Sequence, residues 1–122
     1  MNRQIEFRGK RLDNGEWVYG YYVKYGFVGK EKHYIVPSYA SDLYAIEVDP
    51  LTIGQFTGLV DNDGKKVYEF DYIRYKIGGH WFYGDIGFDI NCCSYVVNKI
   101  YNLQNIRING FEAIGNIFDK EN

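Results

Sequence analysis

Along most of the chain apolar and polar positions alternate with a period of two, the spacing that sends successive side chains to opposite faces of a strand. In Ile5-Glu6-Phe7-Arg8, Ile5 and Phe7 share one face while Glu6 and Arg8 take the other. Over 16–24 the same period puts Trp17, Tyr19, Tyr21 and Val23 on one face. Asp13-Asn14-Gly15 lies between these runs and tolerates the positive φ of a tight turn, so the pattern predicts an N-terminal β-hairpin. His33-Tyr34-Ile35-Val36 reads as a short strand ended by Pro37, and 43–48 as another ended by Asp49-Pro50, with 38–42 as loop.

The second half continues in strands. Residues 52–59 read as an extended segment, followed by the turn formers Asp61-Asn62-Asp63-Gly64. Next come Lys66-Val67-Tyr68 and then 71–77, whose alternation turns Ile73, Tyr75 and Ile77 inward and Arg74 and Lys76 outward. Gly78-Gly79 breaks that run. Strands are predicted near 80–90 and 93–98, one helical turn in the polar stretch 98–109, and a closing strand over 110–118. Ile114 and Ile117 stand an odd number of positions apart around Gly115, which predicts a bulge. No internal repeat or low-complexity segment stands out.

Composition sharpens this to an all-β or mainly β fold with at most a short helix. The chain has 13 Tyr, 8 Phe and 2 Trp, residues that suit a pleated, half-buried surface, and 14 Gly with no Ala- or Leu-rich stretch to sustain a long helix. At 122 residues it is one compact domain or two very small ones. The organisation expected is an N-terminal β-hairpin with extended strands over 1–60 and a second β portion over 61–122.

The net charge of −2 supplies no long-range field for nucleic acid. Arg3, Arg8, Lys10 and Arg11 form a local basic patch, read first as a solvated strand face whose cations guard a sheet edge. Cys92 and Cys93 are adjacent and staple nothing distant; they are expected to point to opposite faces of a strand. The start of the chain has no apolar signal region, and no apolar run approaches the roughly 18–20 residues of a membrane span. A cytoplasmic protein with no membrane partner is expected.

Chemistry finds little purchase. His33 and His80 lie in no recognisable triad with Ser38, Ser41, Ser94 or Cys92. The adjacent cysteines lack the spacing of a zinc site, and Gly78-Gly79 leads to His80-Trp81 and not to a phosphate-binding Lys-Ser/Thr. Taking Gly64 as the glycine of a calcium loop puts Leu59 and Phe70 at the outer ligand positions, so the segment is a turn. No catalytic residue, cofactor or metal is expected. Tyr72 beside Arg74 and Lys76 is the candidate contact face, either for a protein or for a single nucleic-acid strand stacked on Tyr72. Thirteen Tyr exceed what a small core can bury with their hydroxyls satisfied, which favours protein contact. Homo-oligomerisation is the simplest use of that surplus, and a host or phage protein is the other partner of this kind; nucleic acid is the second class.

Four phrases in fixed order add kinship. Ile5-Glu6-Phe7-Arg8-Gly9-Lys10 runs on to Gly15-Glu16-Trp17-Val18-Tyr19-Gly20, then come Gly54-Gln55-Phe56-Thr57-Gly58-Leu59, Gly64-Lys65-Lys66-Val67-Tyr68-Glu69-Phe70-Asp71-Tyr72-Ile73 and Glu112-Ala113-Ile114-Gly115-Asn116-Ile117-Phe118. Together they resemble the YopX proteins of phages and prophages over about residues 4–118. Phe70 stands where the corresponding phrase usually has Gly, and Tyr72 is inserted before the isoleucine. The resemblance implies an SH3-type small β-barrel from about Gly64 to the C-terminus and supplies no functional residues. Asp71 and Asn116 are expected to accept backbone N–H bonds in turns.

Overall fold

The computed structural model describes residues 4–38, 44–99, 101–107 and 110–119. Arg3 and Ser41, and position 43 at the start of one predicted strand, lie outside them. The chain divides into two compact units, Met1–Phe56 and Thr57–Asn122, with the border inside one strand.

In the first unit β1 (Phe7–Lys10) and β2 (Trp17–Tyr25) form the predicted hairpin, with Lys10 opposite Trp17 and Phe7 opposite Gly20. Its loop is closed where the Arg11 N–H donates to the Glu16 carbonyl and the Gly15 N–H to the Arg11 carbonyl, both at 2.9 Å. On the far side of β2 runs β3 (Lys32–Pro37), then the short β4 (Ile46–Glu47). After a single 3₁₀ turn, Pro50–Thr52, the chain enters β5 (Gly54–Val60), which pairs with β1 through Gly54 and Gln55. The core is Val18, Ile35 and Val48, with Phe7, Tyr22, Ile46 and Ile53 packed against it. It therefore lies on the Val18–Tyr22 side of β2, and the Tyr19–Tyr21–Val23 side is exposed. Gly20 is what lets β2 and β3 approach: a Cβ there would collide with the Val36 carbonyl oxygen, backbone that has nowhere to move.

The expected edge role of the basic patch is corrected here. β1 lies between β2 and β5, so it is no edge, and Arg8 is only 5% exposed. Ile5 precedes β1 and is exposed, because the strand starts two residues later than the alternation suggested.

The second unit holds β6 (Lys66–Tyr68), β7 (Asp71–Ile77), β8 (His80–Asp89), β9 (Ser94–Val97), β10 (Tyr101–Asn102), the one-turn helix α1 (Leu103–Arg107) and β11 (Phe111–Asn116). The sheet order is β10-β9-β8-β7-β11, so the last strand returns beside the first of the meander. β8 pairs with β7 up to Asp85 and with β9 from Ile86 onward. Both strand orders have open ends, and no sheet closes into the implied SH3-type barrel among the described residues. The fold is mainly β and antiparallel, with one short helix.

Val67, Ile73, Tyr75, Ile86, Val97, Leu103, Ile106 and Phe111 form the second core. Ile73 and Tyr75 point inward as the alternation predicted, but Ile77 is 45% exposed because the strand there runs into the Gly78-Gly79 turn. Cys92 and Cys93 correct another expectation: they sit in the turn between β8 and β9, both exposed and unbridged. The bulge at Gly115 is present, where the β11–β7 register skips Ile114.

Buried carboxylates organise the turns. Asp61, 6% exposed, accepts the Asp63 and Lys65 N–H groups on Oδ1 at 2.9 Å each and the Ala113 N–H on Oδ2 at 3.0 Å. One side chain thus closes the 61–65 turn and ties it to β11. Asp71 accepts the Tyr68 N–H at 2.8 Å, and Asn116 accepts the Phe118 and Asp119 N–H groups, as the sequence suggested. Burial alone raises the Asp61 pKa, but the N–H bonds from Ala113, Lys65 and Asp63 outweigh it and hold the carboxyl below its ordinary 3.8. A lowered folded pKa means stabilisation that is full above the ordinary value and lost as pH falls through the folded one. Acid titration of urea unfolding should therefore show a loss of stability below that ordinary value, and Asp61→Asn should flatten it. The variant should also cost about 1–3 kcal/mol at neutral pH, since its amide meets an N–H on one side.

Candidate interaction face

Tyr72, Arg74 and Lys76 alternate with buried residues along β7 and so emerge together on the outer face of the sheet. Antiparallel register sets Tyr83 opposite Arg74 and Trp81 opposite Lys76. The Arg74 guanidinium carbon stands 4.7 Å from the centre of a Trp81 ring, with the Lys76 ammonium 5.3 Å away. Tyr72 and Tyr83 stack with centroids 6.5 Å apart and planes 14° off parallel. From β11, Glu112 accepts Arg74 Nε at 3.0 Å and Nη2 at 2.7 Å on one carboxylate oxygen. That bond, and the charge behind it, raises the Arg74 pKa further. Trp81 and Tyr83 remain 47% exposed and Tyr72 39%. The result is a row of aromatic rings on a charged frame of both signs, completed by Asp85 opposite Tyr72.

The other candidate patch has the same construction. Arg8 and Lys10 share one face of β1, with Tyr19 opposite Arg8 and Trp17 opposite Lys10. The Arg8 guanidinium carbon is 4.5 Å from a Trp17 ring centre and the Lys10 ammonium 5.4 Å. Arg11 is apart from this pair, gripping Asp13 through Nε at 2.9 Å and Nη2 at 2.8 Å. Tyr21 and Tyr25 extend the aromatic row along β2. So each unit carries an Arg-x-Lys strand crossed by a Trp-x-Tyr-Gly strand: Arg8-Gly9-Lys10 with Trp17-Val18-Tyr19-Gly20, and Arg74-Tyr75-Lys76 with Trp81-Phe82-Tyr83-Gly84.

This short recurrence is too brief and too unevenly spaced to be an internal repeat. Its signal was the repeated Trp-x-Tyr-Gly after each Arg-x-Lys. The differing intervals between the halves of the motif concealed it. Trp81, Tyr83 and Glu112 are the face residues that sequence reasoning missed, and only the cross-strand register could have supplied Glu112.

The histidines stay apart from these faces. His33 Nδ1 meets the Tyr22 hydroxyl at 2.6 Å beneath a parallel ring stack, while His80 opens β8. Among the described residues no three His, Cys, Asp or Glu side chains are grouped to hold a metal ion. No helix of the described residues is long and apolar enough to cross a membrane.

Fold and faces define a small antiparallel β protein with an aromatic–cation hairpin in each unit, its arginine buried in the first and partly exposed in the second. The chain belongs to the YopX family, whose model, described as YopX protein, matches residues 6–122. No curated protein and no solved structure matches it.

Phe70 has an unusual backbone. It lies in the left-handed region that favours glycine, with φ at 73°, which accords with the resemblance to a phrase that usually has Gly there. For a bulky aromatic residue that is a genuine outlier. Two backbone bonds impose it: the Phe70 N–H donates to the Ile86 carbonyl at 2.8 Å, and the Ile117 N–H donates to the Phe70 carbonyl at 3.0 Å. The ring recovers part of the cost edge-on against Phe118, centroids 5.4 Å apart. Phe70→Gly should therefore be more stable than Phe70→Ala by about 1 kcal/mol, the reverse of the usual order within a strand, as read from thermal unfolding of both variants.

Proposed function

We propose that this YopX-family chain is a non-enzymatic accessory protein of phages and prophages, acting in the bacterial cytoplasm as a protein-interaction or self-assembling module. The observation that carries the reading is the exposed row of Tyr72, Trp81 and Tyr83 around Arg74. Trp, Tyr and Arg are the residues that dominate binding energy in protein interfaces, because they bury much area with few rotors to freeze. The strand order β11-β7-β8-β9-β10 supports an SH3-type small barrel as the frame of the second unit. On such a frame the face is set by strand register and is rigid before any partner arrives, which lowers the ordering cost of binding.

A nucleic-acid strand fits this face less well. Arg74 is already held by Glu112, Asp85 and Glu112 place negative charge within the row, and the chain is acidic overall. Phosphate binding draws its free energy from cations that replace condensed counterions, and here one of the two is committed to a carboxylate.

Affinity capture from host cells carrying the phage or prophage, with and without nuclease, tests both readings. The wild-type chain should retain a defined protein or a fixed oligomer at about 0.15 M salt after nuclease treatment, a condition that screens exposed charge beyond roughly 8 Å. Trp81→Ala with Tyr83→Ala should lose it. A monomer that captures the same material with or without those substitutions contradicts the proposal, and binding abolished by nuclease favours the nucleic-acid reading.

A further inference from the structure

The outer row of β8 does not end at Asp85. Beyond it β8 leaves β7 for β9, and at that change of partner the surface sinks into a pocket of about 540 Å³. This is within the size of pockets that hold ligands, about 300–1,000 Å³. Phe70, Phe88, Ile90 and Val96 give it apolar walls. Its charged lining is Glu69, Asp85 and Asp89 against Lys99; Glu69 is already engaged within the chain, which leaves Asp85 and Asp89 to face a ligand. Asp89 also accepts the Asn91 N–H at 2.9 Å, which fixes its carboxylate at the rim.

We propose that this pocket anchors an arginine side chain from a segment of a partner protein that lies along the Tyr83–Trp81 row, an inference that rests on that row being a contact face. The excess of carboxylates selects a cation and repels phosphate. The aromatic walls select among cations: a planar guanidinium stacks on rings and forks onto a carboxylate, whereas an ammonium is a compact, strongly hydrated point charge. Ile90 and Val96 offer apolar surface to the three-carbon stem of the side chain. Asp85 joins the two regions, since it lines the pocket and also stands opposite Tyr72 on the face.

The test is an NMR titration of the full-length chain with three capped tripeptides, Gly-Arg-Gly, Gly-Lys-Gly and the citrulline counterpart, which keeps the shape of arginine without its charge. The Arg peptide should shift the amide signals of Asp85, Gly87 and Phe88, the Lys peptide should do so more weakly, and the citrulline peptide not at all. Asp85→Asn should weaken the Arg peptide about tenfold, as loss of a charged hydrogen bond does. Phe88→Ala should weaken it as well; because Phe88 also meets Tyr95 edge-on at 5.2 Å, Asp85→Asn is the decisive variant. Equal shifts with arginine and citrulline, no shifts at millimolar peptide, or an Asp85→Asn chain that binds as wild type would each overturn the assignment. Failure of the contact-face reading shows separately, as partner capture indifferent to Trp81→Ala.

Discussion

Cross-strand register in two hairpins is the constraint from which the rest of this protein follows. Side chains alternate across a strand, so pairing Lys10 with Trp17 and Lys76 with Trp81 decides in one stroke what is buried and what is displayed. With this register Val18 and Ile73 enter the cores, and the cations and rings meet on the opposite faces of the strands, Arg8 buried there and Arg74 partly open to solvent. A slip of one residue would exchange the faces and put Arg74 into the core. Each cation–ring contact contributes only about 0.5–1 kcal/mol where exposed, so the apolar side fixes the pairing and the outer side rides on it.

Backbone satisfaction supplies the second layer. At the turns between strands, polar side chains accept N–H groups that the strands leave unpaired. Asp61 does so three times, Asp71 at the entrance to β7 and Asn116 at the exit of β11. Phe70 sits at the junction of these devices, held in a glycine conformation by bonds to β8 and to the tail. These acceptors serve the turns, and the surface row across β7 and β8 differs from them in kind.

Much of the fold was legible because its signals are local. Period-two alternation located nearly every strand, and the parity change at Gly115 located the bulge. What escaped depends on pairing. Arg8 looked like a surface cation because no local rule says that β1 will be flanked on both sides. Leu103 and Ile106 looked like part of a polar stretch, yet a single helical turn carries both into the core. Of the face, Tyr72, Arg74 and Lys76 were found from one strand's alternation, whereas Trp81, Tyr83 and Glu112 needed the neighbouring strands in register. The recurrence of Arg-x-Lys with Trp-x-Tyr-Gly was visible in the letters all along; its regularity emerged only when each pair was laid across a hairpin.

The central claim is that the outer row of β7 and β8 meets another molecule. Hydroxyl-radical footprinting of the chain alone and as captured in its native assembly measures this directly, with buried Tyr75 as internal control. Trp81 and Tyr83 should be labelled readily in the free chain and protected in the assembly, while Tyr75 stays unlabelled in both. Equal labelling of Trp81 and Tyr83 in the two states would contradict the account.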